Sequence, residues 1–204
     1  AAGLNDAFAR VLGVVVPPGV EFGSQNVALY DSARAQDLAA VLDDVPALVF
    51  EAHSTDYQGT GPLSALVADG FPILKVGPEL TFVLREALYA LDLIASELVG
   101  DYGDRPLRAA LERAMLDAPA HWQRHYEGDA QTQKVLRHYA LSDRLRYYWP
   151  LPPVQAAVDR LTDALQGWRV PAPLFRQFLP AAEAFADTPL DPETLLIWRV
   201  RQTL

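Results

Sequence analysis

Apolar residues recur along this chain with two different periods. The first hundred residues alternate short β-branched runs with helix-spaced runs, whereas the second hundred keep helix spacing alone. Val11 to Val16 (VLGVVV) is stopped by Pro17-Pro18-Gly19, which predicts a buried strand over 12–17. Ala47 to Ala52 (ALVFEA) and Pro72 to Val76 (PILKV) predict two more, over 47–52 and 72–76. A helix is expected from about Ala33 to Leu42, with Asp31 or Ser32 as its cap and Leu38, Val41 and Leu42 as its apolar stripe. A shorter one begins near Pro62, uses Leu63, Leu66 and Val67, and ends at Gly70. After Gly77-Pro78, the residues Leu80, Val83, Leu84, Ala87, Leu88, Leu91, Ile94, Ala95 and Leu98 hold one face of a long helix that closes at Gly100. Beyond residue 105 the pattern predicts helices near 106–117, 120–127, 130–148, 153–166, 174–186 and 192–202, and no strand.

Strand–helix alternation with short loops means parallel strands joined by right-handed crossovers, so the class is α/β. An open doubly wound sheet and a closed barrel both fit. Three strands alone leave two apolar edges, so the sheet is expected to continue elsewhere. Half the residues are apolar and about a fifth are charged, which suits a packed core and argues against disorder. Seventeen basic against 26 acidic residues leave a net charge of −9, a poor match to the phosphates of DNA or RNA, so no nucleic-acid partner is expected. Leu80 to Val99 is the most apolar long stretch, but Arg85, Glu86, Asp92 and Glu97 make it a poor membrane span. Ala1 to Arg10 lacks the basic-then-apolar order of a signal peptide. With no cysteine, thiolate chemistry is excluded and a reducing cytoplasm is the expected setting.

In parallel α/β folds, ligands bind at the carboxyl ends of strands. Phe50 and Ala52 share one face of their strand by the two-residue period, which leaves Glu51 and His53 on the other. Ile73, Lys75 and Gly77 take the matching face of the next strand, and Ser54, Thr55, Asp56, Tyr57 and Gln58 follow directly. A carboxylate, an imidazole and an amine at one layer can move protons, bind a metal or hold a phosphorylated sugar. The plainer reading is a structural Glu51–Lys75 ion pair with His53 hydrogen-bonded beside it. A Schiff base at Lys75 is a further alternative. Gly77-Pro78 before a helix leaves amides near Thr81 as a phosphate seat, although Glu79 opposes it. No P-loop motif occurs, and Lys134 is the only other lysine, so a kinase of that class is excluded. His121, His125 and His138 read as exposed or packed helix residues. In Ser142 to Pro150 an aromatic helix end with a local Asp143–Arg146 pair is favoured, and Arg144 reaching a substrate phosphate is the sharper alternative.

Four segments are familiar together: Val15-Val16-Pro17-Pro18-Gly19-Val20-Glu21-Phe22, Phe50 to Gln58, Ile73 to Phe82, and Leu141 to Pro150. In this order they resemble the accessory, so-called non-catalytic, subunits of the D-tagatose-1,6-bisphosphate aldolases of galactitol and N-acetylgalactosamine catabolism. The resemblance runs over essentially the whole chain and implies the C-terminal half of a (β/α)8 TIM barrel. Strands six to eight would lie in 1–104 and an all-helical extension in 105–204. It implies an accessory subunit that supports a class II aldolase catalytic subunit. The alternative is a stand-alone metal-dependent ketose 4-epimerase or aldolase acting by retro-aldol or proton-transfer chemistry on a phosphorylated or free ketose. In that case Glu51 and Asp56 are the catalytic candidates and His53 holds a divalent metal (Zn, Mn or Mg) completed by residues outside this chain. Ser54, Thr55, Lys75, Gly77, Thr81 and Arg144 are then the substrate-binding candidates. A homo-oligomer is a further expectation.

Overall fold

A computed structural model describes residues 3–203. Ala1 and Ala2, part of the segment read above as carrying no signal sequence, and Leu204 of the helical extension lie outside the described residues. The chain divides into two compact units, Ala1–Gly77 and Pro78–Leu204.

The first unit begins with a helical turn, α1 (Asn5–Phe8), and strand β1 (Gly13–Val16). A small antiparallel hairpin follows, β2 (Glu21–Phe22) and β3 (Val27–Ala28), which the sequence pattern did not announce because each strand has two residues. Then come α2 (Ser32–Ala40), β4 (Val49–Ala52), α3 (Thr60–Ala68) and β5 (Ile73–Leu74). β1, β4 and β5 form one parallel sheet in that order. The register sets Val14 against Phe50, Val15 against Glu51, Val16 against Ala52 and Ala52 against Leu74. Period two then sorts the residues by face. Val16, Phe50 and Ala52 are buried with Tyr30, Ala35, Leu66 and Phe71, and Leu38, Leu63 and Leu74 pack against them. The opposite face leaves Val15 55%, Val49 37% and Ile73 43% exposed.

The second unit is built from α4 (Pro78–Leu98), α5 (Pro106–Asp117), α6 (Ala130–Tyr139), α7 (Pro152–Leu165), α8 (Ala172–Phe178) and α9 (Pro192–Arg201). α4 packs against α5, α7, α8 and α9. Its stripe of Ala87, Leu88, Leu91, Ile94 and Ala95 meets Leu107, Leu111, Met115, Leu161, Phe175 and Leu195 in one core. The sequence-based division at residue 104 grouped α4 with the strands, whereas by packing it groups with the helices.

Three predicted helices are shorter than their periodicity suggested. Over 120–127 only Pro119–His121 winds, as a 3-10 turn, because so short a run gains few i→i−4 bonds and the Trp122 indole N–H is taken by the Met115 carbonyl at 2.7 Å. The 130–148 run breaks after Tyr139, and Asp143 adopts a left-handed φ of 40° before a 3-10 segment, Arg144–Tyr148. The 174–186 run splits at Leu179, since Pro180 has no N–H to continue α8. Among the described residues after 100 there is no strand, only an isolated bridge between Arg169 and Pro189. No helix among them is long and apolar enough to cross a membrane.

Candidate functional site at the strand carboxyl ends

The first unit gathers its polar residues where β4 and β5 end. The His53 N–H donates to the Val16 carbonyl at 3.2 Å and the Lys75 N–H to Ala52 at 3.0 Å, so both residues extend the parallel ladder by one step. Their side chains consequently rise on the same face of neighbouring strands, and Lys75 Nζ lies 3.3 Å from His53 Nε2. An ammonium has only donors, so Nε2 accepts and Nδ1 carries the proton. That Nδ1 is buried and has no hydrogen-bond partner among the described residues. An orphaned buried donor costs about 1–3 kcal/mol. Glu51 is half-buried on the same strand face as His53.

The loop after β4 holds this pair in place. Thr55 is buried, and both its N–H and its hydroxyl donate to the Lys75 carbonyl, at 3.1 and 2.9 Å. Asp56 is also buried and accepts the Gly77 N–H at 2.8 Å. Gln58 receives the Tyr30 N–H at 2.9 Å and donates to the Ala28 carbonyl at 3.0 Å, tying the loop to the β2–β3 hairpin. Ser54 and Tyr57 turn the chain with φ of 63° and 62°, in the left-handed region. Thr55 and Asp56 thus both bond the backbone after β5, and the amide of Gly77, one of the substrate-binding candidates, is already engaged. Ser54 is half-buried beside His53.

Thr81 and Arg144, the remaining sequence candidates, belong to the second unit. The Thr81 hydroxyl sits 2.5 Å from the Asp143 carboxylate and 3.0 Å from the Pro78 carbonyl. Arg144 donates to the His121 carbonyl at 3.0 Å and its N–H to the Tyr126 hydroxyl at 3.2 Å. The expected local Asp143–Arg146 side-chain pair is replaced by a buried one. Arg85 Nε stands 3.0 Å from Asp143 Oδ1, while Arg146 donates to the Ser142 and Asp143 carbonyls. Burial pushes the Asp143 carboxyl above its ordinary range despite Arg85. The one sequence signal for this pair was an arginine inside an apolar helix stripe. His121 and His125 are exposed, and His121 stacks on Tyr147 with ring centres 5.0 Å apart.

Among the described residues there is no group of three or more His, Asp or Glu able to hold a metal ion. From this chain a metal would find one imidazole. It would have to take Nε2 from Lys75, leaving Nδ1–H to meet an acceptor, as metal-bound histidines usually do. The fit is that of a single ligand.

A sequence model of the family described as D-tagatose-1,6-bisphosphate aldolase subunit GatZ/KbaZ-like matches residues 1–204. A curated relative named D-tagatose 6-phosphate 4-epimerase, from Agrobacterium fabrum, is 58% identical over 202 residues, covering 99% of this chain and 48% of the relative. A crystal structure described as a probable tagatose 6 phosphate kinase from Sinorhizobium meliloti 1021 matches with a TM-score of 0.91 and 48% identity, covering 99% of this chain and 54% of that one. The chain therefore spans about half the length of these two relatives.

Proposed function

Because this chain belongs to the D-tagatose-1,6-bisphosphate aldolase subunit GatZ/KbaZ-like family, we propose that it forms part of an epimerase inverting C4 of a ketose phosphate such as tagatose 6-phosphate. The accessory, non-catalytic role expected from the resemblance is overturned by the 58% identical relative, whose name is that of an enzyme in its own right. The observation that carries the reading is the imidazole–amine pair of His53 and Lys75, 3.3 Å apart at adjacent parallel strand ends.

The chemistry constrains what those residues do. In a 2-ketose the C4 hydrogen is two carbons from the carbonyl and is not acidified by it. The C4 hydroxyl, by contrast, is β to that carbonyl. Removing its proton breaks C3–C4 in a retro-aldol sense and leaves an aldehyde and an enediolate, and re-addition to the other aldehyde face inverts C4. Glu51 is assigned to move the hydroxyl proton. The Lys75 ammonium faces the negative charge that develops on the enediolate or the phosphate. Thr55 and Asp56 are assigned as positioning residues, since they fix the Lys75 carbonyl and the Gly77 amide. Ser54 remains assigned to hydroxyl or phosphate recognition. A divalent metal held by His53 and by ligands outside this chain would supply Lewis-acid polarisation of the carbonyl.

The parallel sheet is read as strands six to eight of a (β/α)8 barrel in the cytoplasm. Parallel sheets are normally covered on both faces, whereas here Val15, Val49 and Ile73 stand exposed and β1 and β5 carry no outer neighbour among the described residues. The half-length match to both relatives supports the same reading.

The test is conversion of tagatose 6-phosphate to fructose 6-phosphate by the full-length protein that contains this chain, followed by NMR. Turnover should fall by about two orders of magnitude or more in His53→Ala. It should also disappear with a chelator and return with added Mn²⁺ or Zn²⁺. Undiminished turnover in both His53→Ala and Lys75→Ala would remove the strand-end pair from the mechanism.

A further inference from the structure

A pocket of about 270 Å³ lies wholly within the second unit, walled by α4, Arg105, α6 and α8. No step of the proposed reaction uses it. Its walls combine aromatic rings, among them Phe82, Tyr89 and Tyr139, with two guanidinium groups, Arg85 and Arg105. Arg85 is 98% buried, being 2% exposed, and stacks over the Phe82 ring at 4.2 Å. Its Nε stands 3.0 Å from Asp143 Oδ1, and its Nη2 is buried without a hydrogen-bond partner among the described residues. The Nε of Arg105 is likewise buried and unpartnered. Glu86, the carboxylate on the wall, is taken by Arg199 at 2.7 Å. Tyr139 reports the same excess of positive charge. Burial pushes its hydroxyl up, yet hydrogen bonds from Arg108 and Arg105 outweigh this and hold it below the ordinary tyrosine range.

Buried guanidinium N–H groups without acceptors are costly, and arginine fits planar carboxylates and phosphates through its fork of donors. Rings beside that fork accept an apolar body. The volume lies just below the usual ligand range of roughly 300–1,000 Å³, so the ligand must be small. We propose that this pocket binds a small ligand bearing one carboxylate or phosphate on an apolar body, held by Arg85 and Arg105. The site goes beyond the epimerase reading and does not depend on it.

Two probes distinguish the anion, benzoate for carboxylate and phenyl phosphate for phosphate, each titrated calorimetrically into the full-length protein. At least one should bind. Arg105→Ala should weaken it about ten-fold or more while the melting temperature stays near that of the parent, since a charge-assisted hydrogen bond is lost from a half-buried residue. Arg85→Lys keeps the charge and removes the fork, and should weaken binding as well. His53→Ala should leave the affinity unchanged, which separates this site from the strand ends. Binding of neither probe at millimolar concentration overturns the proposal, as does binding that survives Arg105→Ala or that vanishes in His53→Ala.

Discussion

His138 is fully buried on α6, between the Tyr89 hydroxyl, 2.6 Å from Nδ1, and the Glu112 carboxylate, 3.1 Å from Nε2. Burial, with Arg108, Arg137 and Arg85 nearby, pushes its pKa down to about 4 against the pull of Glu112. The imidazole is therefore neutral in the fold, with the proton on Nε2 facing Glu112 and the Tyr89 proton donated to Nδ1. Because the folded value lies below the unfolded value of about 6.5, the stability tied to neutral His138 is complete above that pH. It is lost as pH falls from there toward 4, by about 3 kcal/mol. Thermal melts of the parent between pH 7 and 4 should show this slope, and His138→Gln should flatten it. An equal slope in both proteins would place the titration elsewhere. A second residue-scale expectation concerns Thr55. Thr55→Val removes one of its two bonds to the Lys75 carbonyl, costing about 1 kcal/mol of stability. On the proposed epimerase reading Lys75 needs that anchor, so kcat of the full-length protein should fall more than KM rises, and unchanged kcat would overturn the role given to Thr55.

At the scale of elements, three helix starts are set by carboxylates of two kinds. Asp31 and Asp129 cap α2 and α6 from exposed positions, accepting the Ala33 and Thr132 N–H groups at 3.0 and 2.7 Å. Asp92 acts from inside the core. It has no exposed surface, and it accepts the Tyr102 hydroxyl at 2.7 Å together with the Leu107 and Arg108 amides at 3.3 and 3.0 Å. α4 thereby holds the first turn of α5, where the Leu107 and Arg108 amides have no carbonyl of their own helix to meet. Asp129→Ala should cost about 1 kcal/mol. Asp92→Ala should cost several times as much, about 3 kcal/mol or more, because it strands two buried donors and a third that is partly buried. Urea denaturation of the two variants gives the comparison, and similar losses would mean that the buried clamp is no stronger than a surface cap. Both exposed caps sit beside their periodic runs, and Asp31 was legible there. The clamp was not, since Asp92 looks like any charge on a helix until its partners arrive from a later loop.

For the molecule as a whole, the two units differ in how much they bury alone. Pro78–Leu204 holds a core of large side chains with no exposed surface, including Leu91, Ile94, Leu107, Leu111, Met115, Leu161 and Phe175. Ala1–Gly77 has a smaller cluster under a three-stranded sheet whose other face is open. A fragment of residues 78–204 should therefore unfold cooperatively, with a sharp thermal transition by circular dichroism. A fragment of residues 1–77 should be marginal, as small domains with few buried strands are. A sharp transition in the shorter fragment and none in the longer would reverse this assignment of stability.

What the chain determined by itself was local. Period two in ALVFEA and PILKV put Glu51, His53 and Lys75 on one face, period 3.6 marked α4, and Pro17, Pro150 and Gly100 set boundaries, because side-chain direction and backbone stiffness act within a few residues. Packing decided what those residues then met. Asp143 pairs with Arg85 and not with Arg146, Thr55 and Asp56 serve the backbone after β5, and α4 joins the helices. Each of these choices joins groups far apart in sequence. Their energies depend on burial and on which donor or acceptor the fold leaves free, and no window of neighbouring residues contains that information.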